Sequence, residues 1–384
     1  MVQHSVLIGN GINIQFSDNK EEYKNRSIIL RALNNMKSGK YTEAFDNIVD
    51  PDLMYNGIVD LVDWRNDFLY KGLNFQKAIN SDDEFDSFFN TLFRYKNKKL
   101  KPEDIIMEDY FLLYDLFNNY FIKKHKDSQK IDIKYIYFAL LLIFTDAIYN
   151  DGKIELIYQN MSTFVNEIDK FDNIFTINYD NNLDKITNKP VYHLHGDFNT
   201  LQDRFIPSTV LGYINSHSNR PVAYLENLKH AYSNTVMGFS GSEKVKYINY
   251  FNEASMALNI FIERLRNPND TEIHSEYERL KKSTKEIDKY ALLMIETKLS
   301  HPELTYTEYP LTKFSDIEGW LSIIGMSPNN DNHLIEQINN NKKLTKVIYY
   351  YKQDEERDWM FAHISKERHL LCKKVDDYWK SIGC

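Results

Sequence analysis

The chain has 384 residues, of which 42% are hydrophobic and 27% are charged, and its formal net charge is -8. This composition excludes a disordered chain and a collagen-like repeat. The acidic balance argues against a general nucleic-acid binder, because such a protein needs a basic surface to neutralise phosphates, although a local basic groove stays possible. The length favours two or three domains, and the 27 Tyr and 23 Phe can build a sizeable core.

The cysteine content and the apolar runs indicate the cellular compartment in which the protein is expected. Two cysteines, Cys372 and Cys384, are too few for a disulfide framework or a zinc site of four thiolates. The segment Met1–Ser5 lacks the features of a secretory signal. The longest apolar run, Tyr135–Thr145, is about half the ~20 residues that span a bilayer. We therefore expect a cytoplasmic protein in which this run forms a buried helix.

Short apolar runs bounded by turn residues predict strands that are buried on both faces. They are Ser5–Ile8, Asn173–Tyr179, Val191–Leu194, Thr235–Met237, Leu321–Ile324 and Lys346–Tyr351. Helical spacing predicts helices over roughly 20–38, 57–95, 103–125, 130–168, 222–233, 244–266, 273–300, 331–341 and 354–381. Strands that alternate with long helices predict an α/β sheet with crossover connections.

The interval 20–168 shows almost no strand pattern. We therefore predict one nucleotide-binding domain formed by residues 1–19 and 169–384, interrupted by a helical insertion or subdomain over 20–168. No linker rich in Pro, Gly or Ser divides the chain. A lid over a ligand and an assembly surface are both open as roles for the insertion.

Glycines mark the carboxyl ends of the predicted strands. Of the 13 glycines, those that come directly after a predicted strand are Gly9, Gly11, Gly196, Gly238, Gly241 and Gly325. Glycine at such a position lets a ligand approach the backbone, and open α/β sheets bind ligands beyond these strand ends. The need for a turn explains any one of them. As a group flanked by Asn, Ser, His and Asp, they predict a nucleotide site.

Three segments carry the side chains of this predicted site. The first strand runs into Gly9–Asn13, a turn that can present backbone N–H groups and a helix N-terminus to an anion. A second strand delivers Asn178 and Asp180 to its end. The next one carries His193 and His195, which share a face because they lie two residues apart. For His193 we favour a structural role beneath the site, and for His195 a catalytic role, with a structural one as the alternative.

These segments resemble the sirtuin-like (SIR2) superfamily, whose members carry a Gly-Ala-Gly-Ile-Ser turn, a Thr-Gln-Asn-Ile-Asp strand end and a His-Gly pair. The equivalents are Gly9–Asn13, Thr176–Asp180 and His195-Gly196, and Gly325-Met326-Ser327 resembles the Gly-Thr-Ser of the family. The Asn-Tyr-Asp form, and Asp331 after the Gly-x-Ser, are more similar to bacterial SIR2-like and AbiH-like abortive-infection defence proteins than to deacylases. The resemblance covers about half of the chain and implies a Rossmann-like, mostly parallel sheet with long helical insertions.

Two departures from the deacylases narrow the activity that the resemblance implies. The paired CxxC zinc ligands are absent. The Asp-Phe-Arg segment that follows the first turn in deacylases is also missing, and Asp63-Trp64-Arg65 is a poor substitute because we expect it on the surface of a helix. The resemblance therefore implies an NAD+ glycohydrolase that acts as a phage-defence effector, releasing nicotinamide and depleting cellular NAD.

The resemblance also implies a role for each residue of the site, with NAD as the substrate and no metal. Asn178 holds a ribose hydroxyl or orients water through its amide, and His195 is the base, since imidazole titrates near neutral pH. Gly9–Gly11 cradle the pyrophosphate, Asp180 binds the nicotinamide carboxamide, and Ser327 contacts a ribose or phosphate oxygen. The complete predicted set of NAD-binding residues is Gly9, Asn10, Gly11, Asn13, Thr176, Asp180, Gly325 and Ser327.

Other interpretations of the same residues stay open. A catalytically idle nucleotide-binding subunit of a defence complex is the main alternative, and an interaction protein that keeps only the fold is another. The turn Phe239–Lys244 contacts phosphate or simply joins a strand to a helix with Ser242 as N-cap. Asp331 is predicted to cap the helix over His333–Ile338.

An NADase without control would kill its host, so we predict activation by a partner protein of the same system or by homo-oligomerisation. Membrane association and direct nucleic-acid binding are not expected.

Overall fold

A computed structural model describes residues 2–45, 50–70, 95, 98–124, 133–200, 225–238, 241–300, 308–328 and 331–384. Its centre is a six-stranded sheet in which every neighbouring pair is parallel. The strands are β1 (His4–Ile8), β2 (Asn173–Thr176), β3 (Val191–His193), β4 (Gly319–Ile324), β5 (Leu344–Tyr351) and β6 (His369–Lys374). Their order, β3-β2-β1-β4-β5-β6, is that of a doubly wound Rossmann sheet. The predicted Rossmann-like α/β fold with helical insertions is confirmed.

Helices connect these strands in the described parts of the chain. They are α1 (Gly11–Phe16), α2 (Asn25–Lys37), α3 (Pro51–Tyr70), α4 (Met107–Lys124), α5 (Ile133–Tyr149), α6 (Val165–Ile168), α7 (Asn182–Ile186), α8 (Gly241–Leu265), α9 (Thr271–Lys282), α10 (Glu286–Ser300), α11 (Leu311–Ser315), α12 (Asn332–Asn340), α13 (Asp354–His363) and α14 (Val375–Ser381). Short 3-10 helices cover Pro102–Asp104, Asn150–Asn160 and Glu226–Tyr232.

The central strands are apolar because the sheet is covered on both faces. Along β1, Val6 and Ile8 belong to one apolar cluster, whereas Leu7 between them belongs to another. Successive side chains of a strand point to opposite faces, so the two clusters lie on opposite sides of the sheet. All three residues are fully buried, which explains why the strand has no polar alternation.

The insertion packs on one face of this sheet. Its described residues between 20 and 168 form helices and turns without a strand, as predicted. Ile29 of α2 and Leu142 of α5 belong to the same cluster as Val6, so the insertion shares the core of the sheet domain. The run Tyr135–Thr145 lies in α5, where residues 139–148 are all buried; this confirms the predicted buried helix.

Among the described residues, no helix combines the length and the apolar character needed to cross a membrane.

Four of the predicted elements are wrong. The predicted helix 130–168 is broken into α5, the 3-10 helix Asn150–Asn160 and α6. Residues Thr235–Met237 form no strand; they are a buried connection in which the Val236 N–H donates to the His195 carbonyl at 2.8 Å. The predicted helix 354–381 is split into α13, β6 and α14, because residues 369–374 pair with β5 at the sheet edge. No residue of this edge strand is fully buried, so its sequence lacks the continuous apolar run that marks the central strands. The predicted helix 273–300 is two helices, α9 and α10.

The expected position of Arg65 at the surface is also wrong. Its side chain is 1% exposed within α3, and its guanidinium donates to the Lys98 carbonyl at 2.8 Å and to Asn66 Oδ1 at 3.0 Å. These two acceptors hold one end of the guanidinium inside the insertion. The predicted helix 57–95 begins earlier, at Pro51, and its residues 71–94 lie outside the described part of the chain.

The turns after β1 and β4 are in direct backbone contact. The Gly9 N–H donates to the Ile324 carbonyl at 2.9 Å, and the Gly11 N–H donates to the Gly325 carbonyl at 2.8 Å. A Cβ on Gly11 would lie 2.5 Å from Gly325 Cα, and Gly325 itself has φ +71. Only glycine allows this approach and this conformation.

We expect Gly11→Ala to lower the free energy of unfolding by about 1–3 kcal/mol, because the added methyl group must displace the backbone of the facing turn. Gly57→Ala is the matched control: Gly57 is exposed on α3, and a methyl group added there would meet open space, so the substitution should raise stability by about 0.5–1 kcal/mol. Urea denaturation measures both. Equal effects of the two substitutions would contradict the steric role of Gly11.

Candidate functional site

The candidate site lies where the order of the sheet reverses, beyond the carboxyl ends of β1 and β4. In open α/β sheets this is the crevice in which ligands bind. A cavity of about 570 Å³ occupies it, which is within the usual range for small-molecule sites. The insertion contributes part of its wall through Ile28, Met107 and Ile154.

The cavity brings together most of the residues that the sequence predicts for the site. Those on its wall are Asn10, Gly11, Asn13, Asn178, Asp180, His195, Gly325 and Ser327. Gly9 and Thr176 are not on the wall. Gly9 packs against the turn after β4, and the Thr176 hydroxyl donates to the Ile8 carbonyl at 3.1 Å. These two residues therefore support the turns that line the cavity.

Asp180 joins two loops at the cavity wall. It is 3% exposed, and its carboxylate accepts from Asn13 Nδ2 at 2.6 Å and from Asn182 Nδ2, also at 2.6 Å. Burial raises the pKa of Asp180, and the donors from Asn13 and Asn182 oppose that rise. Asn182, which sequence reasoning missed, also donates to the Ile154 carbonyl at 2.8 Å. The network fixes the β1–α1 turn, the β2–α7 loop and the insertion to one another.

The backbone of Asn178 is held by hydrogen bonds, whereas its side-chain Nδ2 is not held by any described residue. Its N–H donates to the Thr176 hydroxyl at 3.0 Å, and its carbonyl oxygen lies 3.1 Å from Nδ1 of His193. His193 in turn lies 2.9 Å from the Asp184 carboxylate, so it links the strand end to α7, the kind of contact that the predicted structural role requires. Asn178 Nδ2 is buried and has no partner in the described residues. Such a donor costs about 1–3 kcal/mol, so its position on the cavity wall indicates a ligand acceptor.

His195 and His333 form a buried pair. They are 2% and 1% exposed, and their Nε2 atoms are 3.0 Å apart, so one ring donates to the other. Burial, with smaller contributions from Lys244 and His333, holds the pKa of His195 well below its usual value. Burial and then Lys244 lower the pKa of His333 to about 3. Both imidazoles are therefore neutral at pH 7.

Asp331 stands at the N-cap of α12, as predicted, but its side chain makes no capping hydrogen bond. Instead it lines the cavity and forms a group with His195 and His333 whose ligand atoms all lie within 4.8 Å of one another. Two imidazoles and a carboxylate are a donor set for a divalent cation. Two features oppose a cation here: the charge of Lys244 acts on both histidines, and His333 Nδ1 has no partner among the described residues, whereas metal-bound histidines usually donate from the second nitrogen.

Lys244 and His333 are the main residues that the sequence did not place in the site. Lys244 ends the turn Phe239–Lys244, for which the sequence allows either a phosphate contact or a plain strand-to-helix connection; it is 2% exposed and lines the cavity. Phe239 and the Ser242 side chain lie outside what the structure describes. The only signal for His333 was its place two residues after Asp331, next to the Gly-x-Ser turn.

No protein-family model matches the chain. Comparison with curated proteins and with solved structures also finds no match.

The neutral histidine pair predicts how stability depends on pH. The unfolded chain protonates both rings below about pH 6.5, whereas the folded protein resists protonation, and for His333 it does so down to about pH 3. The free energy of unfolding should therefore fall as the pH drops through this window, by up to about 1.4 kcal/mol per pH unit for each histidine.

His333→Gln should flatten this slope, and replacement of the exposed His369 by Gln should leave it unchanged. Urea denaturation at several pH values between about pH 4 and pH 7 measures the slopes for the three proteins. Parallel curves for the wild type and His333→Gln would show that His333 is not held neutral by the fold.

Proposed function

We propose that the protein is a SIR2-like NAD+ glycohydrolase that cleaves NAD between nicotinamide and ribose. The observation that carries the proposal is that Asn178, whose Nδ2 has no partner among the described residues, and the neutral His195 meet in one cavity beside the β1 turn. The sequence resemblance supplies the reaction. The cavity supports it because the three segments that carry the resemblance, far apart in the chain, line the same space.

In the proposed reaction, NAD and water give nicotinamide, ADP-ribose and a proton. The bond to the ribose breaks through a cationic, oxocarbenium-like state, and nicotinamide leaves as a neutral molecule. Asn178 Nδ2 donates to a ribose hydroxyl or to the attacking water, which removes the cost of its unpaired state. His195 is neutral and donates from Nε2 to His333 in this proposal, so its Nδ1 accepts the proton that the water loses.

The other residues of the wall orient the substrate in this proposal. Asp180 accepts from the carboxamide of nicotinamide while Asn13 and Asn182 hold its position. Ser327 is exposed at the edge of the cavity and contacts a ribose or phosphate oxygen. The proposed setting is a phage-defence system, in which a partner protein or self-assembly starts the depletion of NAD.

A nucleotide-binding subunit without catalysis is the second candidate. The depth of His195 favours it, because a side chain that is 2% exposed with a strongly lowered pKa is a weak base. In this case NAD would stabilise the protein and remain intact.

His195→Ala and Asn178→Ala should each lower nicotinamide release by at least ~10²-fold, because each removes a group that acts on the reacting ribose or water. Chromatographic assay of nicotinamide with purified protein measures the rate. The thermal midpoint of each variant shows whether the fold is kept, and His369→Ala, at an exposed site on β6, is the matched control with an unchanged rate.

The same variants can be compared in cells that co-express the neighbouring genes, with total NAD as the readout, since activation requires a partner or assembly. Unchanged NAD consumption in both variants would overturn the site assignment. A rise in the thermal midpoint of the wild type with NAD, without nicotinamide release in either setting, would select the binding subunit.

A further inference from the structure

Lys244 is a buried lysine that pairs with no carboxylate among the described residues. It is 2% exposed, and no carboxylate of the described residues lies within ion-pair distance of its ammonium group. An ammonium group removed from water without a partner is strongly unfavourable. Since Lys244 lines the cavity, a ligand can supply the missing negative charge.

The helix that carries Lys244 adds to the positive potential at this part of the cavity, whereas the Asp331 carboxylate on the same wall opposes it. Lys244 lies in the first turn of α8, a helix of 25 residues, where the helix dipole favours an anion. The two imidazoles on which its charge acts, His195 and His333, are neutral. The Asn178 amide on the same wall is a second donor without a partner among the described residues.

The glycine turn after β1 offers less to an anion than its sequence suggests. The N–H groups of Gly9 and Gly11 already donate to the carbonyls of Ile324 and Gly325, at 2.9 and 2.8 Å. Each backbone N–H has one hydrogen to give. A phosphate in this cavity therefore needs other donors, and Lys244 is the buried cation on the wall.

We propose that Lys244 binds the diphosphate group of the ligand that occupies the cavity. This proposal rests on the proposed function only where it identifies the ligand as NAD. The anion site itself needs a ligand with a diphosphate group, and it does not depend on whether that ligand is cleaved. Lys244 is the specificity-determining residue in this assignment, because it separates phosphorylated nucleotides from their nucleosides.

Isothermal titration with inorganic pyrophosphate, ADP-ribose and adenosine tests this assignment on the wild type, Lys244→Met and Lys352→Met. Lys352 is the matched control, because it is an exposed lysine on the cavity edge that pairs with Asp376 at 2.7 Å. Pyrophosphate and ADP-ribose should bind the wild type, and Lys244→Met should weaken both by about 10–100-fold, the effect of losing one charged hydrogen bond. Adenosine binding in Lys244→Met and pyrophosphate binding in Lys352→Met should change less than about twofold.

The stability of Lys244→Met without ligand is an internal control. The substitution removes an unpaired buried charge and keeps an apolar chain of similar length, so its thermal midpoint should equal or exceed that of the wild type. A folded variant that binds pyrophosphate as tightly as the wild type would overturn the proposal. Absence of pyrophosphate binding in the wild type would do the same.

A rise in the thermal midpoint with Zn²⁺ or Mn²⁺, lost in His333→Gln and accompanied by no pyrophosphate binding, would replace the anion site with a cation site at His195, Asp331 and His333. Pyrophosphate binding that depends on Lys244, without nicotinamide release, would uphold the anion site while the NAD-cleavage proposal fails. The two proposals are therefore tested separately.

Discussion

The contact between the turns after β1 and β4 is the constraint on which the site depends. Two adjacent parallel strands can open a crevice at their carboxyl ends only if the chain leaves them in different directions. Here the two turns also touch through glycine backbones, with Gly11 N–H bonded to the Gly325 carbonyl. This bond closes the floor of the cavity and places Asn13 where it reaches Asp180.

The polar groups around the cavity divide into two kinds, and the division suggests what the site does. The carboxylate of Asp180 is satisfied by two amides, so it stabilises the loops without a ligand. Asn178 Nδ2 has no partner in the described residues, and Lys244 pairs with no carboxylate among them, although both side chains are almost fully buried. Buried donors that the protein leaves unpaired are unfavourable for folding, and a ligand rich in acceptors would offset that cost.

The helical insertion contributes to the wall of the site as well as to the core. Its side chains pack against β1 in one apolar cluster, and Ile28, Met107 and Ile154 line the cavity. Asn182 Nδ2 bonds to the Ile154 carbonyl, so the insertion is tied to the loop that carries Asp180. The insertion therefore forms one side of the cavity and is held against the sheet by packing and by this hydrogen bond.

The sequence by itself determined the main strands and the residues at their ends. Val6–Ile8 could be assigned to a strand because a strand buried on both faces is a continuous apolar run. Asn178 could be assigned to a strand end because polar turn residues follow such a run directly. Local pattern failed for two segments. The edge strand β6 is partly exposed and so lacks a continuous apolar run, whereas Thr235–Met237 has such a run but forms a buried connection.

Only the tertiary structure decided which strand ends share a cavity. It paired His195 with His333, which lies 138 residues further along the chain, and it brought Lys244 into the same cavity. Contacts of this kind depend on the order of the strands and on the packing of helices against them. A local pattern of residue types contains neither, because the same turn and the same helix start can face any part of a folded chain.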